Sequence, residues 1–200
     1  MHNEPYIGIY MNKSGHRTVP FVHIVEVIPI EWIYEKSKDN TSRFILGTIG
    51  VKPLVCFGIN PSTAEPENLD NTLKSVTRLA LNNGFDSWIM LNVYPQRATN
   101  PNELHNEVCL DLHQKNLIVI EQIFKNYNPK IWAAWGTLIL KREYLSNCLS
   151  SIIELSQKYE CSWMTIGKES KNGHPHHPLY LRQTEVLKEF DVHKYMSLIS

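Results

Sequence analysis

The sequence predicts a single α/β domain, a three-layer sandwich in which a mainly parallel sheet of four to five strands lies between helices. The pattern that favours this fold is an alternation of short apolar segments with longer amphipathic stretches, typical of strands joined by helical crossovers. The composition agrees, since 42% of the 200 residues are hydrophobic and 20% are charged, as in globular domains with a core. We expect one domain over residues 1–200, with its core in residues 40–190 and an N-terminal extension, residues 1–39, packed on it.

Four short apolar segments are predicted to be central strands because each is uninterrupted and ends at polar or turn-forming residues. In chain order they are residues 53–58, 87–94, 130–136 and 162–166. A further strand is predicted over residues 21–28, which are rich in β-branched side chains. In parallel sheets ligands collect at the carboxyl ends of the strands, so the loops after these segments are the place to look for a site.

Amphipathic stretches between these segments predict the helices. Residues 72–83 carry apolar side chains at helical spacing from Leu73 to Ala80, and Gly84 follows as a stop signal. Three more helical stretches are predicted over residues 102–127, from the third strand to about Tyr159, and over residues 184–198.

The net charge and the spacing of the cysteines indicate which binding partners and which redox compartment to expect. Lysine plus arginine equals aspartate plus glutamate, 20 of each, so the formal charge is zero. Tight, charge-driven binding to bulk nucleic acid needs clustered cations and is therefore not expected. The four cysteines are widely spaced without a CxxC pair, which favours a reducing, cytoplasmic setting. Neither a signal peptide nor a membrane span is predicted, and no membrane partner is expected.

Two asparagines lie at or just after the ends of predicted central strands and precede proline-containing loops. Asn60 stands before Pro61 and Ser62, and Asn92 comes shortly before Pro95. Amides at neighbouring strand ends can orient a water molecule or contact a polar ligand through paired donor and acceptor atoms. The alternative is an ordinary strand-to-helix turn in which Ser62, Thr63 or Asp70 caps a helix. Arg97, in the loop after Asn92, is either a ligand contact or a solvated surface cation.

The most unusual stretch is a rigid loop, residues 173–180, in which His174, His176 and His177 alternate with two prolines. A metal site is one possibility, but these histidines lack a carboxylate or thiolate partner nearby in the sequence. A single histidine that donates a hydrogen bond to developing negative charge is the favoured alternative. We expect no metal and no cofactor. Phosphate-binding loops, dinucleotide-binding glycine motifs, serine-hydrolase elbows and HExxH zinc motifs are absent from the sequence.

Several landmarks, taken in order, resemble those of a bacterial protein family, domain-of-unknown-function family 1643. The resemblance covers about residues 40–190 and brings no established activity with it. The landmarks are residues 43–46, 60–64, Asp70 with Thr72, 92–95, 97–101, Trp135-Gly136 and 177–180.

A more distant resemblance, to the uracil-DNA glycosylase superfamily, implies a chemistry. Residues 58–61, Gly-Ile-Asn-Pro, are similar to its first motif, residues 91–93 to its base-recognition strand end, and His177-Pro178 to the opening of its histidine motif. The resemblance implies that Asn60 positions the attacking water, that Asn92 recognises the base, and that His177 stabilises the departing base as an anion.

The same resemblance implies a parallel sheet between helices and an aromatic side chain stacked on the base, for which Phe57 and Tyr94 are the candidates. Further candidates for contact with the substrate are Ser62, Arg97, His174 and Tyr180. Two functions follow as hypotheses. The first is hydrolysis of the N-glycosidic bond of a damaged or mismatched nucleobase in DNA, or of a nucleoside or nucleotide. The alternative is a non-catalytic domain that binds a nucleotide or base.

Overall fold

The computed structural model describes residues 30–199 of the chain. The strand expected over residues 21–28 lies outside the described residues. Seven strands occur in the described range: β1 Trp32–Lys36, β2 Arg43–Thr48, β3 Pro53–Gly58, β4 Ser87–Asn92, β5 Lys130–Ala133, β6 Ser162–Ile166 and β7 Leu187–Glu189. The α-helices of this range are α1 Asn71–Asn82, α2 Leu110–Tyr127, α3 Glu143–Lys158 and α4 Val192–Ile199, and short 3-10 helices occur at Pro101–Glu103, Gly136–Lys141 and Pro178–Tyr180.

The strands form one mixed sheet in the order β1-β2-β4-β3-β5-β6-β7. The four central strands, β4, β3, β5 and β6, run parallel to one another, whereas β1, β2 and β7 pair antiparallel at the two sides. The α/β class is confirmed, but the expected size of four to five strands is wrong. Continuous apolar segments indicate only strands covered on both faces, and the edge strands β1 and β7 are partly exposed.

The two faces of the sheet are covered by different helices. Leu54 and Cys56 of β3 pack with α1, whereas Val55 and Phe57, one residue out of step, pack with α2 and α3. This alternation follows from the two-residue period of a strand. Both faces of the four parallel central strands are therefore apolar and buried, which explains why these strands appear as apolar segments in the sequence.

Three helical expectations differ from the structure. The helix expected between the third strand and about Tyr159 begins at Glu143, after the 3-10 turn Gly136–Lys141. The helix expected from residue 102 begins at Leu110, because Asn100 caps only a short 3-10 turn at Pro101–Glu103. In the tail, Leu187–Glu189 forms the edge strand β7 before α4 begins. The backbone N–H of Leu187 donates to Asn83 Oδ1 over 2.7 Å, and this contact with the end of α1 holds β7 against β6. Propensity along the sequence carries no information about such a distant partner.

The connections place a crevice at the middle of the sheet. From β3 the chain passes through α1 to β4 on one side, and from β4 it crosses through α2 to β5 on the other side of β3. The loops after the adjacent strands β3 and β5 therefore leave in opposite directions, toward α1 and toward α3. Ligands of open α/β sheets bind at such a reversal of strand order. None of the helices within residues 30–199 is long and apolar enough to cross a bilayer.

Candidate functional site

A hollow of about 390 Å³ opens at this crevice, within the roughly 300–1,000 Å³ typical of small-molecule sites. We call it the strand-end pocket. It lies between the loop after β3, the first turn of α1, the loop after β4 and the histidine loop. Its polar lining consists of Arg43, Asn60, Ser62, Asp70, Asn71, Thr72, Thr99 and His177, and its apolar lining includes Met90, Trp135, Leu138 and Leu179.

Asn60 is half-buried at the mouth of the loop after β3, and its amide is fixed by backbone groups. Its Nδ2 donates to the carbonyl oxygen of Ala98 over 2.8 Å and to that of Pro61 over 3.1 Å. Both amide hydrogens are thus used to hold the loops after β3 and β4 together. This arrangement leaves Oδ1 as an acceptor of fixed orientation at the pocket.

His177 lies across the strand-end pocket, at the start of the Pro178–Tyr180 turn. Its Nδ1 accepts a hydrogen bond from the backbone N–H of Leu179 over 3.4 Å, so in the neutral ring Nε2 carries the proton. Burial lowers the pKa of His177, and the Asp70 carboxylate partly opposes that change. At neutral pH the side chain is therefore a neutral hydrogen-bond donor through Nε2.

Arg43, the first residue of β2, is a pocket residue that the sequence analysis did not single out as a candidate. It is 2% exposed, its Nη1 donates to the carbonyl of Ala64 over 3.2 Å, and its Nε has no partner among the described residues. Burial lowers the pKa of Arg43 to about 10; the charge of Arg97 acts in the same direction and Asp70 opposes it. Sequence position gave no signal for this burial, since an arginine at a strand end is usually solvated.

Asp70 and the first turn of α1 form another wall of the pocket. Asp70 is the N-cap, and its Oδ1 accepts from the N–H of Leu73 over 2.9 Å. The cap explains why α1 begins where it does, one residue before the predicted start.

Asn92 is brought to the same end of the sheet but not to the surface of the pocket. It is fully buried, and neither Oδ1 nor Nδ2 has a hydrogen-bond partner among the described residues. A β-carbon placed on Gly58 would lie 3.3 Å from Asn92 Oδ1 and 2.7 Å from Met90 Cε. Since Gly58 and Met90 both line the strand-end pocket, the amide of Asn92 lies directly behind its wall.

Arg97 holds the loops together from behind the pocket. Its Nη1 donates to the carbonyl of Ser62, and its Nη2 donates to Tyr34 Oη over 2.9 Å and lies 3.7 Å from the Glu65 carboxylate. Ser62 itself reaches the pocket, where its hydroxyl lies 3.2 Å from that of Thr99. Arg97 is thus not a solvated cation, and it does not line the strand-end pocket.

Phe57 and Tyr94, the two candidates for stacking on a base, lie away from the strand-end pocket. Phe57 is fully buried on the opposite face of the sheet, with ring centroids 6.1 Å from Phe124 and 5.8 Å from Trp163. Tyr94 is also fully buried, and its hydroxyl lies 2.8 Å from His105 Nδ1. Neither ring presents a face to the hollow. For Phe57 the alternation of faces along β3 could have given this result, because Gly58 lines the pocket and the preceding residue must point to the opposite face.

The three histidines of the loop have different environments. His174 is 4% exposed, and its Nδ1 lies 2.9 Å from Tyr195 Oη, which also accepts from Trp135 Nε1 over 3.1 Å. Burial lowers the pKa of His174 and raises that of Tyr195 to about 12. We call these three residues, Trp135, Tyr195 and His174, the aromatic chain. His174 is therefore a core residue, whereas His177 faces the pocket.

A second hollow of about 410 Å³ also borders His177, and its lining includes His174, His176 and Tyr180. Tyr180 is 80% exposed, with its ring centroid 6.0 Å from that of His177. Within residues 30–199, no three histidine, cysteine, aspartate or glutamate side chains come together as a possible metal site.

Comparisons with known proteins give a family without an assigned activity. A family model described as "Protein of unknown function (DUF1643)" matches residues 38–179. No curated protein and no solved structure matches the chain. The family match spans more than half of the sequence and includes Arg43, Asn60, Asp70, Asn92 and His177. The chain therefore belongs to this family of proteins of unknown function.

Proposed function

We propose that the strand-end pocket binds a nucleobase-containing ligand and hydrolyses its N-glycosidic bond. The observation that carries the proposal is that Asn60, a fixed acceptor, and His177, a neutral donor, line the same hollow. Hydrolysis of this bond needs a water held near the sugar and a donor near the departing base. Asn60 would supply the acceptor for the water, and His177 would supply the donor for the base.

Asn60 would hold the attacking water. Its two amide hydrogens are taken by the carbonyls of Pro61 and Ala98, so Oδ1 is free to accept from a water molecule. The water oxygen bonds to the sugar C1′ while the C1′–N bond breaks and its electron pair leaves with the base. An amide cannot take the proton of the water, so this role is orientation. Asp70, the one carboxylate among the lining residues of the hollow, would receive that proton.

His177 would stabilise the base as it leaves with negative charge. Because Nδ1 accepts from Leu179, Nε2–H is the atom that can donate to a carbonyl oxygen of the base. A neutral donor in a site shielded from water stabilises a developing anion without a change in its own charge. The pKa lowered by burial keeps the ring neutral at physiological pH.

A second candidate function is binding without turnover, and the burial of Asn92 favours it. The amide that would recognise the base lies behind Gly58 and Met90, so recognition through Asn92 requires the pocket wall to move. A domain that only binds needs neither that movement nor a proton acceptor for water.

Base release from a panel of substrates separates the two functions. The protein is incubated with oligonucleotides that contain uracil, mismatched thymine, hypoxanthine or alkylated bases, and with nucleosides and nucleotides. Abasic sites and free bases are then measured. Hydrolysis predicts release of at least one base, and loss of one Asn60 or His177 interaction lowers the rate by about 10²–10³-fold. His176→Ala is the matched control, because its side chain does not line the strand-end pocket.

Turnover by the Asn60→Ala and His177→Ala variants at the rate of the original protein would overturn the catalytic proposal. Binding without release of any base, detected as a ligand-dependent rise in melting temperature that both variants abolish, favours the second function.

A further inference from the structure

Arg43 is a buried cation whose hydrogen-bonding capacity is largely unused. The residue is 2% exposed, yet among the described residues its guanidinium donates only to the carbonyl of Ala64. Nε has no partner, and no carboxylate of the described residues lies within 4.0 Å of the group. A guanidinium has five donors, and an uncompensated buried charge is costly. Such a group is expected where an anionic ligand completes the site.

The charged groups around Arg43 leave a local excess of positive charge. The Glu65 carboxylate is engaged by Lys36 at 3.2 Å and by Arg97 at 3.7 Å. Asp70 is the acid that lines the strand-end pocket, and its Oδ1 accepts from the N–H of Leu73. The cation of Arg97 and the carboxylate of Asp70 act on Arg43, so two cations face one carboxylate, and Arg43 itself makes no ion pair with a described residue.

The first turn of α1 supplies further donors to the same hollow. Asn71 and Thr72 line the strand-end pocket, and their backbone N–H groups have no acceptor among residues 30–199. The positive end of the helix dipole and free N–H groups favour an anion there. α1 has 12 residues, so the dipole of a full helix acts at this point. The hydroxyl of Thr72 is a third type of donor.

We infer that Arg43 and the first turn of α1 form a phosphate subsite of the strand-end pocket, so that its ligand is a nucleotide and not a free base or nucleoside. Arg43 would contact the phosphate through its guanidinium, while Asn71 and Thr72 contribute backbone N–H groups and the Thr72 hydroxyl. The identification of the ligand as a nucleotide rests on the proposed function; the phosphate subsite itself rests on Arg43 and α1 alone.

Affinities for matched pairs of ligands test the subsite. Nucleoside 5′-monophosphates and 3′-monophosphates are compared with the corresponding nucleosides by calorimetry at constant ionic strength. At least one monophosphate is expected to bind about tenfold or more tightly than its nucleoside, since hydrogen bonds to charged groups each contribute about that factor. Inorganic phosphate is expected to compete with that monophosphate. Equal affinity for the phosphorylated and unphosphorylated members of every pair would overturn the inference.

Variants of Arg43 identify the residue responsible. Arg43→Gln is expected to abolish the preference for phosphate while leaving nucleoside affinity in place. Arg78→Gln is the matched control, because Arg78 is an exposed residue of α1 whose Nη2 donates to Ser75 Oγ outside the pocket. Should Arg43→Gln fail to fold, Arg43→Lys keeps the charge but loses the planar pair of donors, and a reduced preference is expected. If either folded Arg43 variant keeps the full preference for the monophosphate over the nucleoside, Arg43 is not part of a phosphate subsite.

The outcomes also separate this inference from the proposed hydrolysis. If a monophosphate binds through Arg43 but no base is released, the subsite stands and the glycosidic reaction is wrong. If bases are released equally well from nucleosides and nucleotides, the reaction stands and the phosphate subsite is wrong. If binding and release are both absent, both are wrong.

Discussion

Two groups of polar side chains are buried to the same extent in this protein but differ in their hydrogen bonds. In the aromatic chain, Trp135 donates to Tyr195, whose hydroxyl also pairs with His174. Beside the strand-end pocket, Arg43 and Asn92 are at most 2% exposed, yet Arg43 Nε and both side-chain polar atoms of Asn92 have no partner among the described residues. Each buried unpaired group costs about 1–3 kcal/mol. The difference separates a region whose buried polar groups stabilise the fold from one whose unpaired polar groups lower its stability.

Breaking the aromatic chain is expected to have the largest effect. Tyr195→Phe removes the hydroxyl and leaves both Trp135 Nε1 and His174 Nδ1 unpaired in the core. We expect the free energy of unfolding to fall by about 2–4 kcal/mol, because two buried groups lose their partner at once. Urea denaturation followed by tryptophan fluorescence measures the change. A loss below about 0.5 kcal/mol would show that the chain contributes little.

Two buried asparagines offer the next comparison. Asn116 is fully buried, and its Nδ2 donates to the carbonyl of Asn92 over 2.9 Å, whereas the side chain of Asn92 donates to nothing described. Asn116→Ala should therefore lower the free energy of unfolding by about 1 kcal/mol more than Asn92→Ala. Each variant is the control for the other, since both remove the same atoms. Equal losses in denaturation experiments would mean that Asn92 has a partner after all.

The smallest effect is the dependence of stability on pH. Burial lowers the pKa of His174 below its usual 6.5, so the folded state binds fewer protons than the unfolded state just below pH 6.5. The contribution of His174 is fully present above pH 6.5 and is lost as the pH falls toward the folded pKa, with a slope of at most about 1.4 kcal/mol per pH unit.

His174→Gln should flatten this dependence relative to the original protein. Denaturation curves at pH 7.5, 6.5 and 5.5 for both proteins measure it, and comparing the two removes the contribution of other titrating groups. His176→Ala is a suitable control for a nearby histidine of the same loop. If the free energy of unfolding changes with pH in the same way in the original protein and in His174→Gln, the pKa of His174 is not lowered by folding.

The sequence was most informative where a residue is surrounded by apolar neighbours. The central strands β3 and β6 were predicted with their observed bounds, and α1 to within one residue, because burial on both faces or on one helix face leaves a periodic pattern. The edge strands β1 and β7 were missed, since their formation depends on distant pairing partners and leaves no comparable pattern.

The site was predictable in part for the same reason. The position of Asn60 after a buried strand is a local property, and so is the proline-restrained turn at His177; the structure brings both to one hollow. The burial of Arg43 is not local. It depends on the packing of β2 beside β4 and on the loops that cover it. Nor does sequence position reveal that the side chain of Asn92 ends behind Gly58.

The antiparallel direction of β2 decides where its charge lies. Arg43 is the first residue of β2, and because β2 runs opposite to β4, its beginning meets the carboxyl ends of the parallel strands. If β2 ran parallel to β4, Arg43 would lie at the amino ends of the central strands, about 17 Å away for a strand of six residues. The antiparallel direction of β2 therefore delivers a fixed cation to the carboxyl ends of the four parallel central strands.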